Sequence, residues 1–120
     1  MKDTEKLELI LEHAREYYEN EREYHFVDGG FVCYELFDTA EGRSLYIADI
    51  FVSKAVRGGK AFGELIQFCL DLEHTEGVKI AFTRVEKQNP HLDVLQKMYK
   101  GIGFRQIHED NIALFYRLDV

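Results

Sequence analysis

Between Ile47 and Ile66 the residue pattern changes character twice, and the rest of the chain must accommodate that change. Ile47 to Val52 is an apolar run suited to a pleated, largely buried strand. A short bend at Ser53 to Val56 leads to Arg57-Gly58-Gly59-Lys60, a glycine turn carrying two cations. Glycine reaches backbone angles closed to other residues and lets a ligand approach the main chain. From Lys60 onward, Lys60, Glu64, Gln67, Asp71 and His74 recur at steps of three and four, which predicts a helix with a polar stripe. A helix opened by such a turn presents unpaired amides and a partial positive charge, the layout of an anion or phosphate cradle. An ordinary β-turn-α connection carries the same signature, so the turn alone does not decide between them.

With 120 residues, the chain is expected to form one domain. Hydrophobic residues at 46% and charged residues at 31% fit a soluble globular protein. The net charge is −7 and no basic run occurs, which argues against nucleic acid as a ligand and favours cationic substrates or partners. No stretch is long and apolar enough for a membrane span, and the N-terminus lacks the apolar run of a signal peptide. Cys33 and Cys69 fall in apolar patterns, with neither a zinc spacing nor a disulfide framework. Buried free thiols, a cytoplasmic location and no membrane association are therefore expected.

Elsewhere the periodicities alternate between helix and strand. Asp3 or Thr4 caps a predicted helix whose apolar stripe is Leu7, Ile10, Leu11, Ala14, Tyr17 and Tyr18. Tyr24–Val27 and Phe31–Phe37 flank Asp28-Gly29-Gly30 as a hairpin. A second turn, Asp38 to Arg43, leads to the central strand Leu45–Val52, and short loops imply antiparallel pairing of all three. Beyond the glycine turn, Ala61, Phe62, Leu65, Ile66, Phe68, Cys69 and Leu72 supply a helix's inner face, ending before Gly77. Lys79–Glu86 is then a strand parallel to the central one, because a helix separates them. Asn89-Pro90 reads as the cap and first residue of a further helix, lined by Leu92, Leu95, Met98, Tyr99 and Ile102 and ended by Gly101 or Gly103. Phe104–Ile107 and Ile112–Leu118 form a last hairpin, with Ile112, Leu114, Tyr116 and Leu118 alternating on one buried face.

Two of these stretches carry a resemblance. Val52, a four-residue gap and Arg57-Gly58, followed by Glu64-Leu65-Ile66, resemble motif A of the GNAT superfamily of acetyl-CoA-dependent N-acetyltransferases. Lys60 and Phe62 depart from it, standing where small residues are usual. Leu95-x-x-Met98-Tyr99-x-x-x-Gly103-Phe104 resembles motif B of the same family. The predicted order α-β-β-β-α-β-α-β-β is similar to the GNAT core with its first strand missing or merged. The resemblance thus implies a single α+β domain, layered as helices flanking a central mixed, mostly antiparallel sheet. It also implies acetyl-CoA (CoA) as cofactor. Amides around Arg57, Gly58, Gly59, Lys60, Ala61 and Gly63 would wrap the pyrophosphate, and Phe51 and Val52 would pair with the pantetheine arm. Helical spacing turns Phe62 inward beside Leu65, Ile66 and Cys69. Asn89 resembles the family's cofactor-contacting Asn, although it precedes Tyr99 by ten residues rather than seven, and helix capping accounts for it equally well.

Acetyl transfer to an amine requires a held cofactor, a neutral amine, a stabilised oxyanion and a proton for the departing thiolate. Tyr99 stands at the family's general-acid position, and a phenol with a pKa of about 10 keeps its proton at neutral pH. A core tyrosine on an amphipathic helix has the same sequence signature. The base is open: the family's usual Glu is replaced by Ala48. Asp49 is adjacent, though strict alternation directs it to the other sheet face, while Glu35, Glu86 and a relay water are further candidates. The five histidines show no metal-ligand spacing. The expected function is acetyl transfer to a primary amine of a small cationic molecule or a peptide. The alternative is a GNAT-fold module without turnover that binds a protein partner, and self-association into a homodimer stays open. Acceptor loops vary within the fold, so the acceptor is not legible here.

Overall fold

Short connections and alternating side chains build one half of the sheet. The computed structural model describes residues 22–120 together with Glu5, Leu9 and Glu12. The apolar stripe of the expected N-terminal helix lies outside the described residues; Glu5, Leu9 and Glu12 are helical and exposed. Strands β1 (Glu23–Val27), β2 (Gly30–Thr39) and β3 (Gly42–Val52) pair antiparallel in sequence order. The second turn is tighter than the predicted Asp38–Arg43, because those two residues remain paired across the ladder and bridged at 3.2 Å. Thr39 Oγ1 donates to Gly42 O at 2.8 Å and closes the turn below them.

Helix α1 (Ala61–Glu76) then carries the chain to β4 (Val78–Glu86), which lies parallel to β3. Gly77 adopts φ +70° and its N–H bonds Leu72 O, a left-handed cap that stops the helix one residue before the strand. Helix α2 (Leu92–Ile102) starts two residues later than the Asn89-Pro90 pair predicts. Asn89 Oδ1 accepts from His91 N at 2.8 Å, so the side chain stabilises a turn leading into the helix rather than the helix itself.

The last hairpin, β5 (Arg105–Glu109) and β6 (Ala113–Asp119), folds back so that β6 lies between β4 and β5. The sheet order is β1-β2-β3-β4-β6-β5, with β3/β4 the parallel pair. This position corrects the one-sided reading of the final strand. Ala113 to Arg117 are all buried, since an interior strand has both faces covered, whereas Ile112 lies before the strand and is exposed.

Helices α1 and α2 pack on one face, where Val32, Leu45, Ile47, Leu65, Cys69, Val85, Tyr99 and Tyr116 form the main core. On the opposite face Phe37, Tyr46, Ile80, Phe82, Ala113 and Phe115 form a second cluster. The buried Arg117 guanidinium lies 5.8 Å from the Phe82 ring centre and pairs with Glu41 and Asp119, each at 2.8 Å. Cys33 and Cys69 are buried free thiols. No described helix is long and apolar enough to cross a membrane.

Candidate functional site

The parallel pair comes apart halfway along. Register between β3 and β4 runs from Arg43/Val78 to Ile47/Thr83, yet β3 continues to Val52 and β4 to Glu86. On the other side of β3, pairing shifts from Tyr34↔Ile47 to Cys33↔Asp49, leaving Ala48 as an extra, bulged residue. A bulge bends its strand and sharpens its twist, which suits a strand that must leave its neighbour. Thr83 Oγ1 donates to Ile47 O at 3.3 Å at the last paired rung, tying the strands where they begin to diverge.

Two connected cavities occupy the opening. One, of about 790 Å³, is lined by Tyr46, Ala48, Asp49, Thr83, Arg84, Glu86, Tyr99 and Arg22 among others. The second, of about 490 Å³, runs between the end of β3, the start of α1 and the first turns of α2. Phe51, Val52, Arg57, Gly58, Gly59, Phe62 and Met98 line it. Asp49, Ile50, Asn89, Pro90 and Leu95 border both spaces, so the groove leads into the deeper cavity.

At the groove's mouth, α1 begins without a side-chain cap. Lys60 occupies the N-cap position in a right-handed conformation, and its carbonyl accepts from Glu64 N at 3.0 Å. The first-turn amides therefore have no partner within the helix and none from a capping side chain. Gly58 takes φ +87°, and a Cβ at Gly58 or Gly63 would meet nothing within 4 Å. Bare backbone thus faces open space on both sides of the helix start. Arg57 Nε donates to Val52 O at 3.0 Å, which holds this cation beside the strand end. Lys60 is exposed, whereas the Ala61 side chain is buried and only its backbone remains for a ligand. Phe62 packs against the main core, its ring edge-on to Tyr99 at 6.4 Å between centres.

Tyr99 reaches the deeper cavity from α2 and is almost wholly buried. Phe104 meets its ring edge-on at 5.2 Å and Tyr116 stacks at 6.0 Å. Burial pushes the phenol up to about 12, against which a hydrogen bond with Thr83 acts in the opposite sense. The group is therefore a neutral proton donor under all ordinary conditions.

The carboxylates are sorted by the bulge. Ala48 packs against the second cluster, and Asp49, opposite Cys33, faces the same side. The alternation that separates them in the sequence is cancelled by the extra residue, so Asp49 lines the cavity that contains Tyr99. Glu86 lines it too and pairs with Arg84 at 2.8 Å. Glu35 does not line the cavity; it is buried behind it, hydrogen-bonded to Arg22, with Oε2 lacking a partner among the described residues. Arg22 and Arg84 have no sequence signal. Arg22 precedes β1 and Arg84 sits mid-strand, and only the splay brings them to one wall.

No protein-family model matches the sequence. No curated protein matches it either. Solved structures do match. The chain is similar to a chain of the NatC complex bound to Gag peptide and CoA, at 18% identity and a TM-score of 0.65, covering 77% of this chain and 61% of that one. It is similar to the PaiA N-acetyltransferase of Thermoplasma acidophilum in complex with coenzyme A, at 17% identity and a TM-score of 0.62, covering 79% and 57%. A GNAT-family structure from Desulfovibrio desulfuricans aligns with 93% of this chain and 77% of its own, at 17% identity and a TM-score of 0.65. The chain spans about three fifths of the first two. Among the described residues, the mixed six-stranded sheet with helices α1 and α2 has the GNAT acetyltransferase fold.

Proposed function

We propose that the chain transfers an acetyl group from acetyl-CoA to a primary amine. One observation carries this reading: an uncapped helix start opens on a groove that leads, through splayed strands, to a buried phenol. Uncapped amides and open glycine backbone fit a pyrophosphate, and Arg57 and Lys60 add positive charge there. Val52 and Phe51 would flank the cofactor's arm, with Phe62, Met98 and Leu95 as the apolar lining. Asn89 borders the groove, but its side-chain oxygen is engaged by His91 N.

When bound, acetyl-CoA supplies an acyl group activated as a thioester. The chain's own residues supply position and protons. Asp49 attracts the acceptor's ammonium to the cavity and accepts its proton, directly or through water. Tyr99 holds its proton in a buried pocket and would be the group placed to give it up to a leaving thiolate. Burial by Phe62, Phe104 and Tyr116 keeps bulk water from competing for that proton.

Calorimetric titration with CoA and acetyl-CoA tests the reading, together with release of free thiol in the presence of amines. Saturable binding and a raised melting temperature are expected, because a ligand selective for the native state stabilises it by mass action. No binding at millimolar cofactor would sink acetyl transfer and favour a fold used for binding alone.

A further inference from the structure

Four aromatic rings lie in a ladder across the three antiparallel strands, on the sheet face that carries Asp49. Phe26, Phe31 and Phe51 occupy one register row, and Tyr24, Cys33 and Asp49 the adjacent same-face row. Ring centres are 5.8 Å apart for Tyr24–Phe31, Phe26–Phe31 and Phe31–Phe51, and 6.2 Å for Tyr24–Phe26. Core rings do not behave this way: Tyr24 is 55% exposed, Phe26 68% and Phe51 47%. A contiguous aromatic surface left to water is a binding feature rather than ordinary surface.

Its placement says what it binds. At one end stands Asp49, which makes no ion pair among the described residues and borders both cavities. Its charge is felt by Tyr24, whose phenol is raised first by a hydrogen bond with Cys33 and to a lesser degree by Asp49. A carboxylate beside a sheet of ring faces is complementary to a cation with an apolar body. The ammonium meets the carboxylate, and the adjoining carbons lie on the rings through cation–π attraction and burial. Neighbouring rows on one face are about 7 Å apart, so an amine held at Asp49 leaves its adjoining carbons over the rings of the next row.

We infer that the ladder Tyr24, Phe26, Phe31 and Phe51, with Asp49 at its end, is the acceptor subsite for a small primary amine carrying an aromatic or extended aliphatic body. The inference rests on the acetyl-transfer reading for its purpose but not for its test. It narrows the broader expectation of a small cationic acceptor by adding an apolar body next to the amine.

Calorimetric titration of the whole chain with phenethylamine, hexylamine and ethanolamine, with and without CoA, provides that test. Phenethylamine is expected to bind about tenfold more tightly than ethanolamine. Phe26→Ser, at a highly exposed position, should erase most of that preference while CoA affinity stays unchanged. Phe31→Ser is a second variant, with melting temperature as its folding control. Equal affinity for the three amines, or an unaltered preference in both variants, would overturn the subsite. So would variants that change only sedimentation, since the ladder would then be a contact between copies. Amine preference without CoA binding would refute acetyl transfer and leave the subsite standing.

Discussion

At Tyr99 packing and the proposed chemistry meet, and one substitution separates them. Tyr99→Phe keeps the ring that Phe62, Phe104 and Tyr116 hold and deletes only the hydroxyl. If that hydroxyl protonates the leaving thiolate, turnover should fall about 10²–10⁴-fold with little change in CoA affinity. A hydroxyl that merely satisfies the core would instead cost about 1 kcal/mol of stability at pH 7 and leave the rate alone. The same variant has an alkaline signature. The phenol's folded value, about 12, lies above its ordinary 10, so the native state holds a proton that the unfolded state releases. Stability from this group is complete below pH 10 and is lost as pH rises from 10 to 12, by about 3 kcal/mol. Buried Cys69, also pushed up to about 12, adds a loss beginning near pH 9. Melting temperatures from pH 8 to 12 should therefore fall less steeply for Tyr99→Phe than for the wild type. Parallel curves would show that Tyr99 ionises as readily in the fold as outside it.

For helix α1, the fold and the proposed cofactor make opposite demands on its first turn. Gly63 stands at the third helical position, where glycine costs roughly 0.5–1 kcal/mol relative to alanine and an acidic residue favours the dipole. An added Cβ meets nothing within 4 Å. Gly63→Glu should thus raise the melting temperature slightly while weakening CoA binding about tenfold or more, by placing a carboxylate where phosphates would lie. Thermal scans and CoA titration check both signs; higher stability with unchanged affinity would move the phosphate site elsewhere. The helix, its glycine stop and the parallel return were legible because apolar spacing and Gly77 act locally. The bulge was not. Ala48 is an unremarkable residue, and its extra place shows only in the pairing of β3 with β2, just past the last rung shared with β4. Everything depending on that shift was hidden with it, including the side on which Asp49 emerges. Arg22 and Arg84 were invisible for a related reason, since neither lies near either motif and the cavity wall they share exists only in three dimensions.

Across the whole molecule, the charge of −7 bears on two proposed ligands of opposite sign. Inside the deeper cavity Arg84 pairs with Glu86 and Arg22 with the buried Glu35, so the Asp49 charge is left without a cation against it among the described residues. What would draw an amine over longer distances is the charge spread over a body whose shortest extent is 27 Å. Salt screens such a field over about 8 Å at physiological ionic strength, so long-range attraction is the first part to be lost. For CoA the same field is repulsive, but its phosphates would sit against Arg57, Lys60 and the α1 amides at ranges that salt screens far less. Raising salt from 20 to 300 mM should therefore lower kcat/KM for a monocationic amine by about two- to fivefold. CoA affinity over the same range should stay within about twofold, as weakened local attraction is offset by weakened global repulsion. Asp49→Asn divides the remainder: the amine's residual affinity at high salt should drop, while the salt-dependent part keeps its slope. Salt-independent turnover with the amine would mean that net charge plays no part in acceptor capture and that Asp49 with the aromatic ladder accounts for it alone.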